Sequence, residues 1–218
     1  MIVVLYGKSL SGKSTVLRSI VESTNLIKPV EKVITDTTRE PREGEVNGRD
    51  YNFRTNDDFE EYIKLDRYIE HVRHERNGEI EYYGTPVDSF EDSDNNKIII
   101  LDLDGVRSLK SYIKHRSVID PEDVKYIFLD IPLKERLKAT INDMDDLSKE
   151  SLEGLIKRVY RDEEKYTHKE MIEEADLVLT DVELEPKVKA IEKLYNLNMI
   201  RKIASKTGEL DLYNMLEC

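Results

Sequence analysis

The chain opens on an unbroken apolar run, Met1 to Tyr6 (MIVVLY), with no polar position to mark a wet face. Such a run predicts a β-strand covered on both sides, as in a parallel sheet. Lys97 to Leu103 (KIIILDL) and Val124 to Ile131 (VKYIFLDI) repeat the pattern, and Asp176 to Thr180 (DLVLT) is a shorter candidate. Between these runs the period changes. Val16, Leu17, Ile20 and Val21 recur on one side of a helix predicted over Lys13 to Ser23. Leu152, Leu155, Ile156, Val159 and Tyr160 mark another, running on through Tyr166 toward Ile172. A strand, a glycine turn and a helix, followed by more buried strands spaced by helices, predict an α/β fold.

The stretch between the first helix and the strand at Ile98 is of another kind: polar, rich in tyrosine and punctuated by Gly44, Gly48, Gly78 and Gly84. It reads as an inserted mixed region. Asn142 to Asp146 (NDMDD) is a second polar interruption, expected to be a mobile connection, and the residues beyond Asn198 are expected to form one more helix. No internal repeat or low-complexity tract is visible.

Composition narrows the classes. Of 218 residues 39% are hydrophobic and 37% charged, which suits one soluble domain with a large wet surface. No apolar run approaches the ~20 residues of a membrane helix. The first residues lack a basic region and a cleavage site, so the expected location is cytoplasmic. Lys plus Arg number 34 against 46 Asp plus Glu, a net charge of −12. That surface repels nucleic-acid phosphates, so any phosphate ligand must meet a local basic pocket. The sole cysteine, Cys218, excludes an internal disulfide or a cysteine metal site. His71, His74, His115 and His168 show no zinc-type spacing and read as ordinary exposed or packed imidazoles.

Three constellations carry chemistry. Gly7 to Ser14 reads G-K-S-L-S-G-K-S, a full match to G-x-x-x-x-G-K-[ST] placed between a buried strand and a helix. Backbone N–H groups of Leu10, Ser11, Gly12, Lys13 and Ser14, with Thr15 in the first helical turn, point to an ATP phosphate at the positive end of the helix. Lys13 then reaches the outer phosphates and the Ser14 hydroxyl suits magnesium. Second, Asp102 ends the apolar run Ile98 to Leu101 where ligands of open α/β sheets bind; it reads either as a magnesium ligand, direct or through water, or as a turn residue. Third, Thr35 to Phe53 (TDTTREPREGEVNGRDYNF) places Arg39 and Arg42 on either side of Pro41, two forked donors on a stiff turn suited to gripping a phosphate.

This last string resembles the guanylate kinase signature T-T-R-x-P-R-x-G-E-x-x-G-x-D-Y-x-F. Further matches follow in the family's order: Y-I-E at Tyr68 to Glu70, Y-Y-G-T-P at Tyr82 to Pro86, L-D-L-D at Leu101 to Asp104 and Y-I-F-L at Tyr126 to Leu129. The resemblance runs from Met1 to about Asn196. It implies a P-loop NTPase fold, a parallel sheet with helices on both faces, an inserted mixed α/β GMP-binding region and a helical lid. The implied division is a core of 1–34, 97–135 and 158–198, a GMP-binding insert 35–96, a lid 136–157 and an extension 199–218. The implied reaction is magnesium-dependent phosphoryl transfer from ATP to GMP or dGMP. Arg39, Arg42, Tyr51 and Tyr83 are implied to hold the GMP phosphate, and Thr35, Glu70 and Thr85 to read guanine. Glu45 and Asp104 match acidic positions lining the nucleotide pocket, and Asp102 one near guanine and magnesium. A Glu70 carboxylate suits guanine, whose N1–H and 2-amino group both donate, and repels adenine.

The chain departs from the family in its lid. The R-L-x-x-R-G-like stretch corresponds to Arg136 to Met144, with Thr140 and Met144 at the expected basic positions. Arg158 and Arg161 lie on one helix face and read either as compensating lid-helix cations, Arg158 being the catalytic candidate, or as an exposed salt-bridged face. Two residues are missing after Asp104, the adenine-proximal pair becomes Thr180 and Asp181, and Arg76 to Glu81 holds a short insertion. Two other classes stay open: a kinase of another nucleoside monophosphate or a phosphorylated sugar, and a non-catalytic guanylate-kinase-like module that binds a protein or phosphopeptide. Gly12, Lys13 and Ser14 argue against the module, Glu70 and Thr85 against another acceptor.

Overall fold

β1 (Ile2–Tyr6) sends Ile2, Val4 and Tyr6 into one apolar core and Val3 and Leu5 into another, so both faces of the strand are covered. The structure is a computed structural model that describes residues 1–42, 44–76, 78–90, 95–116, 119–142 and 149–207. After β1 come α1 (Lys13–Val21), β2 (Val30–Lys32), β3 (Asp36–Thr37), β4 (Asn52–Phe53) and α2 (Asn56–Lys64). The long hairpin strands β5 (Tyr68–Arg76) and β6 (Glu79–Pro86) lead to β7 (Asn96–Ile100), α3 (Leu103–Arg116) and β8 (Val124–Leu129). The chain continues as α4 (Leu133–Asn142), α5 (Lys149–Lys165), α6 (His168–Glu173), β9 (Leu177–Leu179) and α7 (Leu184–Thr207).

Among the described residues the core sheet has the order β2-β7-β1-β8-β9, and every adjacent pair is parallel. α3 and α6 cover one face through Leu103, Val106, Leu109, Ile113 and Met171; α1 and α7 cover the other through Val16, Leu17, Ile20, Ile191 and Tyr195. The predicted α/β fold with helices on both faces is therefore present. Two boundaries differ. The second apolar run stops being strand at Ile100, because Asp102 caps α3 by accepting from the Gly105 N–H at 2.9 Å. The first helix ends at Val21, which is exposed.

Two helical expectations are corrected. The helix expected to run from Leu152 toward Ile172 breaks at Tyr166, where Thr167 and Glu170 form a capping box that starts α6. Its buried face is Leu155 and Val159, while Ile156 and Tyr160 are both 62% exposed. Among the described residues no separate helix starts beyond Asn198, because α7 passes through that point unbroken to Thr207; 208–218 lie outside the described residues. Of the expected mobile connection, Asn142 ends α4 and residues 143–146 lie outside the described residues, as do Met144 and Cys218. The short insertion after Arg76 falls at the turn between β5 and β6, with residue 77 also outside.

The insert builds a second sheet, order β4-β3-β6-β5, in which β6 is antiparallel to both neighbours. Its short strands are held by side chains. Asp36, fully buried, accepts from Asn52 at 2.8 Å, from the Tyr68 hydroxyl at 2.8 Å and from Arg54. Phe59 of α2 stacks on Tyr68 and Tyr82, ring centroids 4.3 and 5.1 Å apart. A Cβ at Gly84 would come within 2.8 Å of Phe59 and 2.9 Å of Tyr68, so β6 lies against these rings only because position 84 has no side chain.

Candidate active site

The loop between β1 and α1 is tightly wound. Leu10 (φ 69°) and Gly12 (φ 84°) are left-handed, a conformation glycine adopts freely and leucine only at a cost of about 1–2 kcal/mol. Lys13 folds inward, its ammonium donating to the carbonyls of Gly7 (2.8 Å) and Lys8 (2.9 Å). Burial brings its pKa down to about 8, with the Asp162 carboxylate opposing the shift. Ser11 Oγ is buried with no partner among the described residues, while Ser14 and Thr15 face solvent at the head of α1.

Side chains of α4 and α5 brace this loop from outside, and two of them, Asp162 and Glu163, were not among the residues expected there. Asp162 of α5 accepts from the Ser9 N–H at 2.5 Å, and Glu163 pairs with Lys8 and, at 2.5 Å, with Arg136. Arg136 of α4 is buried and also donates to the carbonyls of Ile131 (2.9 Å) and Ser9 (2.8 Å). α5 thus grips the phosphate loop with acidic side chains, which no linear motif announces.

On the insert, the two arginines separate. Arg39 is buried, its guanidinium held by both oxygens of Glu45 at 3.0 Å and placed 5.6 Å from the Tyr51 ring centroid. Its Nε is a buried donor without an acceptor among the described residues, a costly state that an incoming oxyanion would relieve. Arg42 is exposed; its backbone N–H donates to Glu45 at 2.8 Å. Hydrogen bonds from Arg39, then from that N–H, hold Glu45 below the usual carboxylate range. Tyr51 and Tyr83 meet edge to face, centroids 6.3 Å apart, and the Tyr83 hydroxyl donates to Glu81 at 3.1 Å.

Glu70 and Thr85 stand opposite each other on β5 and β6, and the Thr85 hydroxyl donates to Glu70 at 2.6 Å. Burial raises the Glu70 pKa to about 7; the Thr85 hydrogen bond opposes this and the charge of Asp102 adds to it. Asp102 acts electrostatically on Lys13 as well. Asp104 sits 2.8 Å from Lys165, and the Tyr166 hydroxyl contacts both aspartates.

A cleft of about 750 Å³ joins the two regions; its lining includes Ser14 and Arg18 from α1 and Lys32, Thr35, Glu45 and Tyr51 from the β2–β4 region. Of the sequence-derived residues, Ser14, Thr35, Glu45 and Tyr51 line this cleft; Arg158 and Arg161 do not. Both are exposed on α5 and neither is paired among the described residues. At the expected lid position, Thr140 returns its hydroxyl to the Arg136 carbonyl at 3.0 Å. Thr180 and Asp181 are exposed just after β9. Among the described residues no group of three or more His, Cys, Asp or Glu forms a metal cluster. The exposed Ser14 hydroxyl fits a magnesium ion arriving with a nucleotide. Asp102 does not fit as a direct ligand, since one oxygen caps α3 and the other takes Lys165 and Tyr166.

Comparison with known proteins agrees. Residues 1–197 match the family described as guanylate kinase. The guanylate kinase of Clostridium perfringens (strain 13 / Type A) is 33% identical over 163 residues, covering 74% of this chain and 69% of the relative. That of Bacillus subtilis (strain 168) is 37% identical over 142 residues, covering 65% and 64%. The crystal structure of guanylate kinase from Anaplasma phagocytophilum superposes with a TM-score of 0.59 at 23% identity, over 89% of this chain and 83% of that one, a likeness of fold. Phosphate loop, insert and cleft thus occur in a chain that belongs to the guanylate kinase family.

Proposed function

We propose that this chain transfers the γ-phosphoryl group of ATP to GMP or dGMP, releasing ADP and the guanine nucleoside diphosphate. The observation that carries this reading is the shared cleft, which sets Ser14 of the phosphate loop and Thr35, Glu45 and Tyr51 of the insert around one space. The acceptor is already a phosphate anion, so the reaction needs positioning and charge neutralisation more than a base.

In this proposal the amides of Leu10 to Thr15 hold the ATP phosphates, and Lys13 leaves the Gly7 and Lys8 carbonyls to meet them. A magnesium ion bound with ATP supplies further charge neutralisation, and Ser14 is the residue that fits it. Arg39, Arg42, Tyr51 and Tyr83 grip the GMP phosphate; Arg39 Nε gains the acceptor it lacks. Thr35, Glu70 and Thr85 read guanine, with Glu45, Asp102 and Asp104 completing the acidic lining. Arg158 is placed as a donor-side cation that reaches the phosphates when the lid closes. The working division is a core of 1–34, 97–135 and 158–198, an acceptor insert 35–96 and a lid 136–157. No described helix is long and apolar enough to cross a membrane. A kinase of free nucleotides works where both are present, so the proposal includes a cytoplasmic enzyme.

The test is a coupled ADP-release assay over a panel of nucleoside monophosphates, for the parent and Lys13→Ala. GMP and dGMP should be turned over far faster than AMP, CMP or UMP. Lys13→Ala should abolish turnover while calorimetric GMP binding persists. Preference for another acceptor, or an active Lys13→Ala, overturns the assignment.

A further inference from the structure

Asp102 and Asp104 place two carboxylates at the head of α3, where they would repel each other and an incoming phosphate. They share a counter-ion. Lys165, the last residue of α5, sets its ammonium 2.8 Å from Asp104 Oδ2 and 3.4 Å from Asp102 Oδ2. The adjacent Tyr166 is buried and places its hydroxyl 3.0 Å from Asp104 Oδ2 and 3.1 Å from Asp102 Oδ2. The Lys165 ammonium also stands over the Tyr166 ring, 4.7 Å from its centroid, so both residues converge on the pair. The other Asp102 oxygen caps α3. A carboxylate offers roughly four lone-pair positions, and three of those on Asp102 face donors.

The pair matters to its surroundings. Asp102 acts on Glu70, alongside Thr85 from β6, and on Lys13 in the phosphate loop; Arg107 is the further cation that acts on Asp104. Left bare, the two carboxylates would disfavour an ionised Glu70 and an anionic ligand beside it. A half-exposed ion pair contributes little to stability. Its weight here falls on the potential inside the site.

We propose that Lys165 is a positioning residue for acceptor binding: its ammonium, rather than magnesium, is the resident counter-ion of Asp102 and Asp104, and neutralising that pair keeps the floor of the site receptive to GMP. The proposal rests on Glu70 reading the base.

Calorimetric titration of GMP without ATP, with and without magnesium chloride, tests it on the parent, Lys165→Met, Lys165→Arg and Glu70→Gln. The parent and Lys165→Arg should bind GMP alike and without magnesium dependence. Lys165→Met should bind about tenfold more weakly, the equivalent of one pKa unit of lost charge interaction, and recover in part as magnesium fills the vacated position. Recovery by arginine or by magnesium supports the charge role. A parent whose GMP affinity rises with magnesium, a Lys165→Met that binds like the parent, or a loss that neither arginine nor magnesium repairs overturns it. Glu70→Gln binding GMP like the parent would sink the reading of the base instead, whatever Lys165 does.

Discussion

Arg39 and Arg42 carry the same charge on one turn yet occupy opposite environments. Arg39 is 9% exposed, packed under Tyr51 and paired with Glu45, whereas Arg42 faces solvent. Arg39→Ala strands Glu45 and opens a gap, so it should lower stability by about 1–3 kcal/mol as well as acceptor kcat/KM. Arg42→Ala should raise the GMP KM and lower kcat with an unchanged urea midpoint; denaturation beside steady-state kinetics separates the two. Glu70 supplies a pH prediction. Its pKa rises on folding from 4.5 to about 7 because of burial, so the folded protein favours the protonated form. That stabilising preference is full below 4.5 and is lost as pH rises through about 7. Glu70→Gln, which cannot ionise, should therefore melt higher than the parent at pH 8 and gain no such advantage near pH 4, while binding GMP more weakly. Equal melting shifts at both values would contradict it. These residues were legible because they share short contiguous strings. Lys165 was not, since its partners at 102 and 104 lie far away in sequence and only the packing of α5 brings them together.

Elements buried on both faces announce themselves, and elements held by side chains do not. β1, β7 and β8 were legible because each is an apolar run with no wet face. β3 and β4 are two residues each, fixed by Asp36, Arg54 and Tyr68 from separate parts of the insert, and no periodicity reaches that scale. The break between α5 and α6 was written as T-H-K-E at Thr167 to Glu170, but the apolar recurrence through Tyr166 masked it. Thr167→Ala should cost about 1 kcal/mol of stability, measurable by urea unfolding, with little change in GMP affinity. Gly84→Ala should behave differently. Its Cβ would press on Phe59 and Tyr68, so β6 must shift, costing about 1–3 kcal/mol. Thr85 moves with it, and the GMP dissociation constant should rise in the same variant.

Across the whole molecule, a net charge of −12 surrounds the two anion sites we propose, and the acidic residues reach the phosphate loop itself. Asp162 accepts from the Ser9 N–H at 2.5 Å and must share that mouth with an incoming triphosphate. Asp162→Asn keeps an oxygen there and removes the charge, so the ATP KM should fall by roughly two- to tenfold while the GMP KM stays put. An unchanged ATP KM would leave α5 a brace only. The three-layer core was readable from strand burial, whereas the α5 grip on the loop depends on how two distant segments dock. The central place of β1 has one more consequence, for isotope labelling. With a parallel neighbour on each side and helices over both faces, its amides surrender their protons to deuterium only when the entire chain unravels. The second sheet joins the two-residue strands β3 and β4 to the β5–β6 hairpin outside the core sheet, and it should open at a lower free energy than β1. Deuterium uptake at Ile2–Tyr6 should therefore clock global unfolding, and uptake across Tyr82–Pro86 should clock the insert alone, slowing when GMP is added without ATP while the first signal keeps its pace.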